Sequence, residues 1–431
     1  MSGGTIGIIT FAILVSLVFL RVPVAFALAI ATIPALLIDE KLTPCILINR
    51  MSVQYMSVIL TAIPFFILAA RIMNRSKITD KLVRLSLSMV GSLRGGLGYV
   101  NILVSMFFAG MSGSSNADAA GIGSVLIPAM LKQKFDVNYT VAVTACSAVM
   151  GCIIPPSIMA VVWGATLNVS IAGLFLAGIL PGILIGLSQM LITYILARKR
   201  NYPKYSEKIS FVEIAFSIKD AFWALLTPFI LVGGIIGGIV TPTEASAIAV
   251  SYSIIVGAFI YRTLSFKDIV EEIMVTAKLS AIILFSIGTA SIYAWVFAYY
   301  NIPSYLVNSV EGITDNPIVV LLISTFFFLI AGMILDAVPA IIIIAPLLQP
   351  IAVAVGIDTM HFAIVCSVVL GIGLITPPYG LTLLISSKIA KINCMQAMKD
   401  VGLFFILMLV IVIIIILFPD IFLFLPNLLK K

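Results

Sequence analysis

Charge is what this 431-residue chain has least of: Asp, Glu, Lys and Arg make up only 10% of it, against 62% hydrophobic residues. A soluble domain carries about 25% charged residues, so too few remain here to cover a surface that faces water. The solvent is therefore mostly lipid, and the length suffices for about a dozen helical passes of about 20 residues each. Long polar stretches are missing as well, since the longest, Arg198 to Ser210, is loop-sized. Histidine occurs once, as His361, which removes a His-based metal site and a Ser-His-Asp hydrolase from consideration. An intramembrane hydrolase built on Ser and Asp alone is the rival from another class, and the inventory supports it poorly. The five cysteines, Cys45, Cys146, Cys152, Cys366 and Cys394, form no CxxC pair and are odd in number. They are expected to be inert buried thiols and not metal ligands or disulfides. Nor does the net charge of +7 point to nucleic acid. Its Lys and Arg residues sit between apolar spans, where the positive-inside bias places them. A basic leader is absent before the apolar run Thr5–Leu20, which is expected to stay as a helix.

What is present is a succession of apolar runs. Thr5–Leu20 and Val22–Ile38 are expected to cross, with Arg21 between them, and Val53–Ile72 crosses again. Residues 75–91 place Lys77, Lys81 and Arg84 on one helical face and Leu82, Leu85 and Met89 on another, which predicts an amphipathic arm lying in the interface. Residues 95–134 are apolar at both ends and polar in the middle, at Ser112-Gly113-Ser114-Ser115-Asn116-Ala117-Asp118. A Gly-rich polar centre cannot face lipid, where each unpaired backbone group costs several kcal/mol. Arg94 before the segment and Lys132 and Lys134 after it put both ends on one side, which predicts a re-entrant hairpin. A helix over 138–167, broken at Pro155-Pro156, follows. Ile171–Leu196 then returns to the cluster Arg198-Lys199-Arg200, Lys204 and Lys208, expected to be cytoplasmic.

The order then recurs. Spans are expected at Ala221–Val240, Thr243–Tyr261 and Lys267–Tyr299, with a second interfacial segment at Ile302–Val310. A second hairpin over 316–356, with its tip at Leu335–Pro339, and a helix over 361–387 broken at Thr376-Pro377-Pro378 follow, before a last span at Val401–Pro419. Gly110 matches Gly332, 222 residues on, and the same offset relates Met111 to Met333, Pro128 to Pro350, Asp136 to Asp358, Gly151 to Gly373, and Pro155-Pro156 to Pro377-Pro378. An odd number of crossings per half makes the second repeat inverted, with both termini periplasmic. The fold class is thus an all-α polytopic membrane protein of two inverted-topology repeats with re-entrant hairpins and broken helices. Residues 1–200 form the first repeat, 201–220 a cytoplasmic linker and 221–431 the second repeat.

Inverted repeats with interrupted helices are the architecture of secondary transporters. A helix that ends at mid-membrane presents unpaired backbone groups: N-terminal ends favour carboxylates, while C-terminal ends and unwound carbonyls favour cations. Two tips and two Pro-Pro breaks supply four such ends, at Ser112–Asp118, Gly151–Ser157, Gly332–Pro339 and Gly373–Thr382. Oxygen-rich, Gly-rich segments suit a hard cation and a polar anion. Taken singly, each is better explained by a kink or by close helix packing; the symmetric set of four favours a site. Ionisable residues inside spans are functional candidates by default. Asp118 has two roles open to it, capping the outgoing half-helix or ligating. Asp336 is a candidate for the solute cavity. Glu244, after Thr241-Pro242-Thr243, is expected to cap its helix, and Arg50 and Arg71 to anchor at the interface.

Ala62-Ile63-Pro64-Phe65-Phe66-Ile67-Leu68-Ala69, Gly110–Ala120, Gly151-x-Ile153-Ile154-Pro155-Pro156-Ser157, Thr241-Pro242-Thr243-Glu244-Ala245, Gly332-Met333-x-x-Asp336 and Gly373-x-Ile375-Thr376-Pro377-Pro378 together resemble the large membrane subunit of tripartite ATP-independent periplasmic (TRAP) transporters, the DctM-like family. The resemblance spans nearly the whole chain. It implies an elevator-type fold of the ion-transporter superfamily in the bacterial inner membrane, importing an organic acid such as a C4-dicarboxylate or sialic acid with Na+. It also implies two partners, a periplasmic substrate-binding protein and a separate four-helix small membrane subunit, for which the first hairpin, beginning near residue 95, leaves no room in this chain. Carried over by motif, one Na+ site would use Ser112, Ser114 and Ser115 with Gly151, Ile154 and Pro156. The second would use Gly332 with Gly373, Thr376 and Tyr379. The solute would lie near Ser114, Ser157, Asp336 and Thr382. A stand-alone divalent-anion/Na+ symporter shares the same plan and is the nearest alternative.

Overall fold

The computed structural model describes residues 3–20, 22–39, 41–205, 211–302, 304–305, 307 and 315–428. The first half contains α1 (Gly3–Phe19), α2 (Val24–Ala31), α3 (Ile33–Ile38), α4 (Pro44–Tyr55), α5 (Ala62–Arg75), α6 (Ile78–Val90), α7 (Gly96–Ser112), α8 (Ser115–Lys132), α9 (Val137–Ala148), α10 (Ile158–Leu167) and α11 (Ile171–Lys199). The second contains α12 (Phe211–Ile236), α13 (Pro242–Ile255), α14 (Phe266–Tyr299), α15 (Pro317–Ile334), α16 (Ala337–Ala354), α17 (Thr359–Gly373), α18 (Leu381–Ala390), α19 (Cys394–Leu417) and α20 (Pro419–Leu428). No strand occurs among the described residues, and eight helices are long and apolar enough to cross a membrane.

Helix boundaries keep the 222-residue register. Helices α8 and α16 start at Ser115 and Ala337 and end at Lys132 and Ala354. Helices α9 and α17 start at Val137 and Thr359, each behind an aspartate N-cap: Asp136 accepts from the Asn138 N–H at 2.9 Å and Asp358 from the Met360 N–H at 2.8 Å. Such caps satisfy donors the first turn leaves open. Both Pro155-Pro156 and Pro377-Pro378 bonds are cis. Packing is reciprocal between the halves. The first arm of each hairpin lies on its own broken helix, α7 on α9 and α15 on α17. The second arm lies on the outgoing part of the other one, α8 on α18 and α16 on α10. All residues of Tyr139–Ala148 and Met360–Gly373 are buried, so the two broken helices form the axis of the molecule. Outward faces instead carry exposed apolar side chains such as Phe229, Ile282, Phe326 and Ile406. That is the pattern of helices bathed in lipid.

Several expected boundaries move. The third span is Val58–Arg75 instead of Val53–Ile72, because α4 ends at Tyr55 and a short 3-10 turn, Val58–Thr61, leads into α5. The second run is divided at Thr32, where Pro34 opens α3 without an N–H to give. Residues 211–220, expected in the linker, are the first turns of α12; Asp220 on them meets Lys81 at 3.4 Å and Arg84 at 3.3 Å. In α6 Leu82 and Leu85 are buried as expected and Arg84 is exposed, but Lys81 lies over the Tyr261 ring, Met89 is exposed and Lys77 precedes the helix in the left-handed region. The last span starts at Cys394 instead of Val401, and α20 follows it. The expected second interfacial segment, Ile302–Val310, lies largely outside the described residues, as do Arg21 and Lys208.

Candidate functional site

At the first tip the chain turns through Gly113, whose φ of 65° is left-handed. Only a residue without Cβ fits there, because a Cβ would lie 2.9 Å from the Pro156 carbonyl oxygen. The Ile158 N–H donates to the Gly113 carbonyl at 3.2 Å, so the tip is hydrogen-bonded to the first break. Ser112 and Ser115 are buried, and Ser115 donates to the Val149 carbonyl at 3.3 Å. Ser114 N-caps α8. On the break, Ser157 is buried, N-caps α10 and donates to the Cys152 carbonyl at 2.5 Å. Ile154 turns its side chain to the space left by Gly182 of α11.

Asp118 faces this junction. It is fully buried, neither carboxylate oxygen has a hydrogen-bond partner, and a Cβ on Gly151 would lie 2.1 Å from its Oδ2. Gly151 is thus the space that the carboxylate occupies. A buried, unpaired charge costs several kcal/mol, and the neighbouring serine hydroxyls and freed carbonyls are the donor set for a hard cation. Among the described residues no group of three or more His, Cys, Asp or Glu side chains is arranged to hold a metal ion, so such a cation would rest on neutral oxygens around one carboxylate.

The second junction uses the matching residues differently. Its tip is extended at Leu335, and Asp336 N-caps α16. The Tyr379 N–H donates to the Met333 carbonyl at 3.0 Å, again joining tip to break. Gly332 and Gly373 pack backbone on backbone: a Cβ on Gly373 would lie 2.6 Å from the Gly332 Cα. Ala340 stands where the first repeat has Asp118. Thr376 donates to the Ile372 carbonyl at 2.9 Å and Thr382 to the Leu374 carbonyl at 2.8 Å; Leu374 lies one helical turn before Pro378, which has no N–H to give it, so Thr382 satisfies a carbonyl that the Pro-Pro break sets free. Thr382 is fully buried, whereas Tyr379 is 46% exposed.

A hydrogen bond joins the two tips. Asn116 Nδ2 donates to Asp336 Oδ1 at 3.3 Å. Nothing in the spacing of these two residues, 220 positions apart, marks them as a pair. Other residues proposed from sequence are elsewhere. Glu244 forms a capping box with Thr241, accepting from its N–H at 2.7 Å. Arg71 pairs with Glu272 at 2.6 Å, and Arg50 lies 5.2 Å from the centre of the Trp295 ring. Sequence reasoning also missed a buried polar ladder: Asn101 donates to Thr144 at 2.7 Å, Ser147 to Asn101 at 3.1 Å and Ser105 to Ser147 at 2.9 Å. The spacing of Thr140, Thr144 and Ser147 along one helix face was the signal available for it.

Residues 11–421 match the family described as tripartite ATP-independent periplasmic transporter, DctM component. The chain is 34% identical over 415 residues to the sialic acid TRAP transporter large permease protein SiaM of Vibrio cholerae, covering 96% of each. It is 35% identical over 413 residues to the C4-dicarboxylate TRAP transporter large permease protein DctM of the same organism, covering 90% of each. Among solved structures, the YdaH transporter of Alcanivorax borkumensis, described as having an unusual topology, superposes with a TM-score of 0.57 at 16% identity over 87% of each chain.

Proposed function

Given that the chain belongs to the DctM component family of TRAP transporters, we propose that it imports an organic acid anion by symport with Na+. The observation that carries the cation is Asp118, buried without a partner against Gly151. One Na+ would be held by Ser112, Ser114, Ser115, Gly151, Ile154 and Pro156, with Asp118 supplying the charge. A second would be held by Gly332, Gly373, Thr376 and Tyr379. Hydroxyls already donating to carbonyls keep lone pairs free for a cation, so the bonds of Thr376 and Ser115 are compatible with that role. The anion would sit between, near Ser114, Ser157, Asp336 and Thr382, facing the N-terminal turns of α8 and α10. The relatives' substrates, sialic acid and C4-dicarboxylates, set the class to test first. The reading includes a separate small membrane subunit, a periplasmic binding protein as solute donor, a place in the bacterial inner membrane and an elevator motion of the hairpin-bearing core. The test is uptake of labelled N-acetylneuraminate and succinate into proteoliposomes holding this chain, its small subunit and the binding protein. Uptake that follows an inward Na+ gradient, and stops in K+, is expected. Equal uptake in K+, or uptake driven by a proton gradient, would sink the Na+ assignment. Equal uptake without the binding protein would favour the stand-alone symporter.

A further inference from the structure

Among the described residues, one hydrogen bond joins the two hairpins: Asn116 Nδ2 to Asp336 Oδ1, at 3.3 Å between residues 220 positions apart. Asn116 lies in the first turn of α8, between the Ser114 cap and Asp118. Asp336 is the N-cap of α16, and the same Oδ1 also accepts from the Ala337 N–H at 2.9 Å. Two donors on one oxygen fix the carboxylate's rotation and so aim its Oδ2. The amide's own orientation is fixed in turn, because a flipped Asn116 would set its oxygen against a carboxylate oxygen. Its Oδ1 is buried and has no partner. The pseudo-symmetry does not repeat this bridge: Val338 matches Asn116, and Ser114 matches Asp336.

We propose that Asn116 is a positioning residue that couples the two cation junctions, an inference that rests on the Na+ reading above. An ion bound beside Asp118 orders the first turn of α8, and with it the direction of Asn116 Nδ2. That holds Asp336, and through it the N-terminal turn of α16, in one arrangement before the second ion arrives. The second ion then meets a tip already ordered, which makes the two binding events cooperative without any change of ligands. Reciprocity requires the second ion to favour the first equally.

The test is a Na+ titration of the thermal unfolding of the purified full-length protein, at constant ionic strength against K+. The wild type is expected to titrate more steeply than a single site. Asn116→Val should still be stabilised by Na+, but with a one-site slope and a half-maximal concentration raised about fivefold or more. The exchanged pair, Asn116→Asp with Asp336→Asn, restores a donor facing a carboxylate and should restore the slope. That double variant also keeps the test decisive if Asn116→Val does not fold. A wild type indifferent to Na+ overturns the Na+ reading itself. A Na+-responsive wild type with a one-site slope, or an Asn116→Val titration that superimposes on it, leaves that reading standing and overturns the coupling.

Discussion

Gly151 can carry no side chain because the Asp118 carboxylate fills the space, and this makes the pair testable as a unit. Gly151→Ala sets a Cβ 2.1 Å from Oδ2 and should destabilise by about 1–3 kcal/mol while abolishing stabilisation by Na+. Adding Gly151→Ala to Asp118→Ala should cost much less than Gly151→Ala does alone, since only the Ser114 carbonyl carbon, at 3.2 Å, still crowds the new Cβ; strictly additive losses in melting temperature would refute the geometry. Thr376 separates two explanations of its own hydroxyl, which donates to the Ile372 carbonyl. Thr376→Val in the assembled complex should raise the Na+ concentration for half-maximal uptake more than it lowers the melting temperature. A lower melting temperature with unchanged Na+ dependence would make it a brace for the break and nothing more. At this scale the sequence was readable where partners are close along the chain. Thr241 and Glu244 sit at capping-box spacing, and the capping box is there. Asn116 with Asp336, and Arg200 with Asp400, are 220 and 200 residues apart. No periodicity joins such residues; only the fold does.

Among elements, the two hairpins are held in unlike ways. The first is laced to α9 by Asn101, Ser105, Thr144 and Ser147, while the matching residues in the second repeat are Ile323, Phe327, Cys366 and Val369. The second is seated by the contact of Gly332 with Gly373. Where α11 leaves the core, Arg200 pairs with Asp400 at the start of α19 and with Asp136 at 3.2 Å. Asp400 is only 2% exposed, so Arg200→Ala leaves it buried and unpaired. That should cost about 3 kcal/mol, the low end of the range because the arginine is itself partly exposed. Arg200→Ala with Asp400→Leu should recover most of the loss in thermal unfolding; no recovery would show that the arginine acts through other contacts. Residues 200–205 also return to the start of the first hairpin, with the Gly95 N–H donating to the Pro203 carbonyl and the Tyr205 N–H to the Gly91 carbonyl, both at 3.0 Å. Broken helices and hairpin tips were legible because Gly and Pro punctuate them. Helix ends were less so: α12 begins in amphipathic sequence and not at the edge of the apolar run, and α4 stops where no Gly or Pro marks it.

For the whole molecule, the Lys and Arg distribution predicts that Lys204 faces the cytoplasm. A single cysteine at that position, in a background without the five native thiols, should resist a membrane-impermeant reagent applied from outside. One at Gly356, between α16 and α17, should react. The opposite result would invert the orientation argued from charge. The reciprocal packing of the halves has a further consequence, for biogenesis. When the first half has left the ribosome, α8 and α10 still lack α18 and α16, the helices they finally lie against. Their polar, Gly-rich junction must then wait in the bilayer, half enclosed, until the second half has been inserted. The first repeat is therefore not a folding unit in its own right. A chain stopped at the connection between α11 and α12 would be a substrate for membrane quality control, and the two halves made as separate chains would survive only by finding each other.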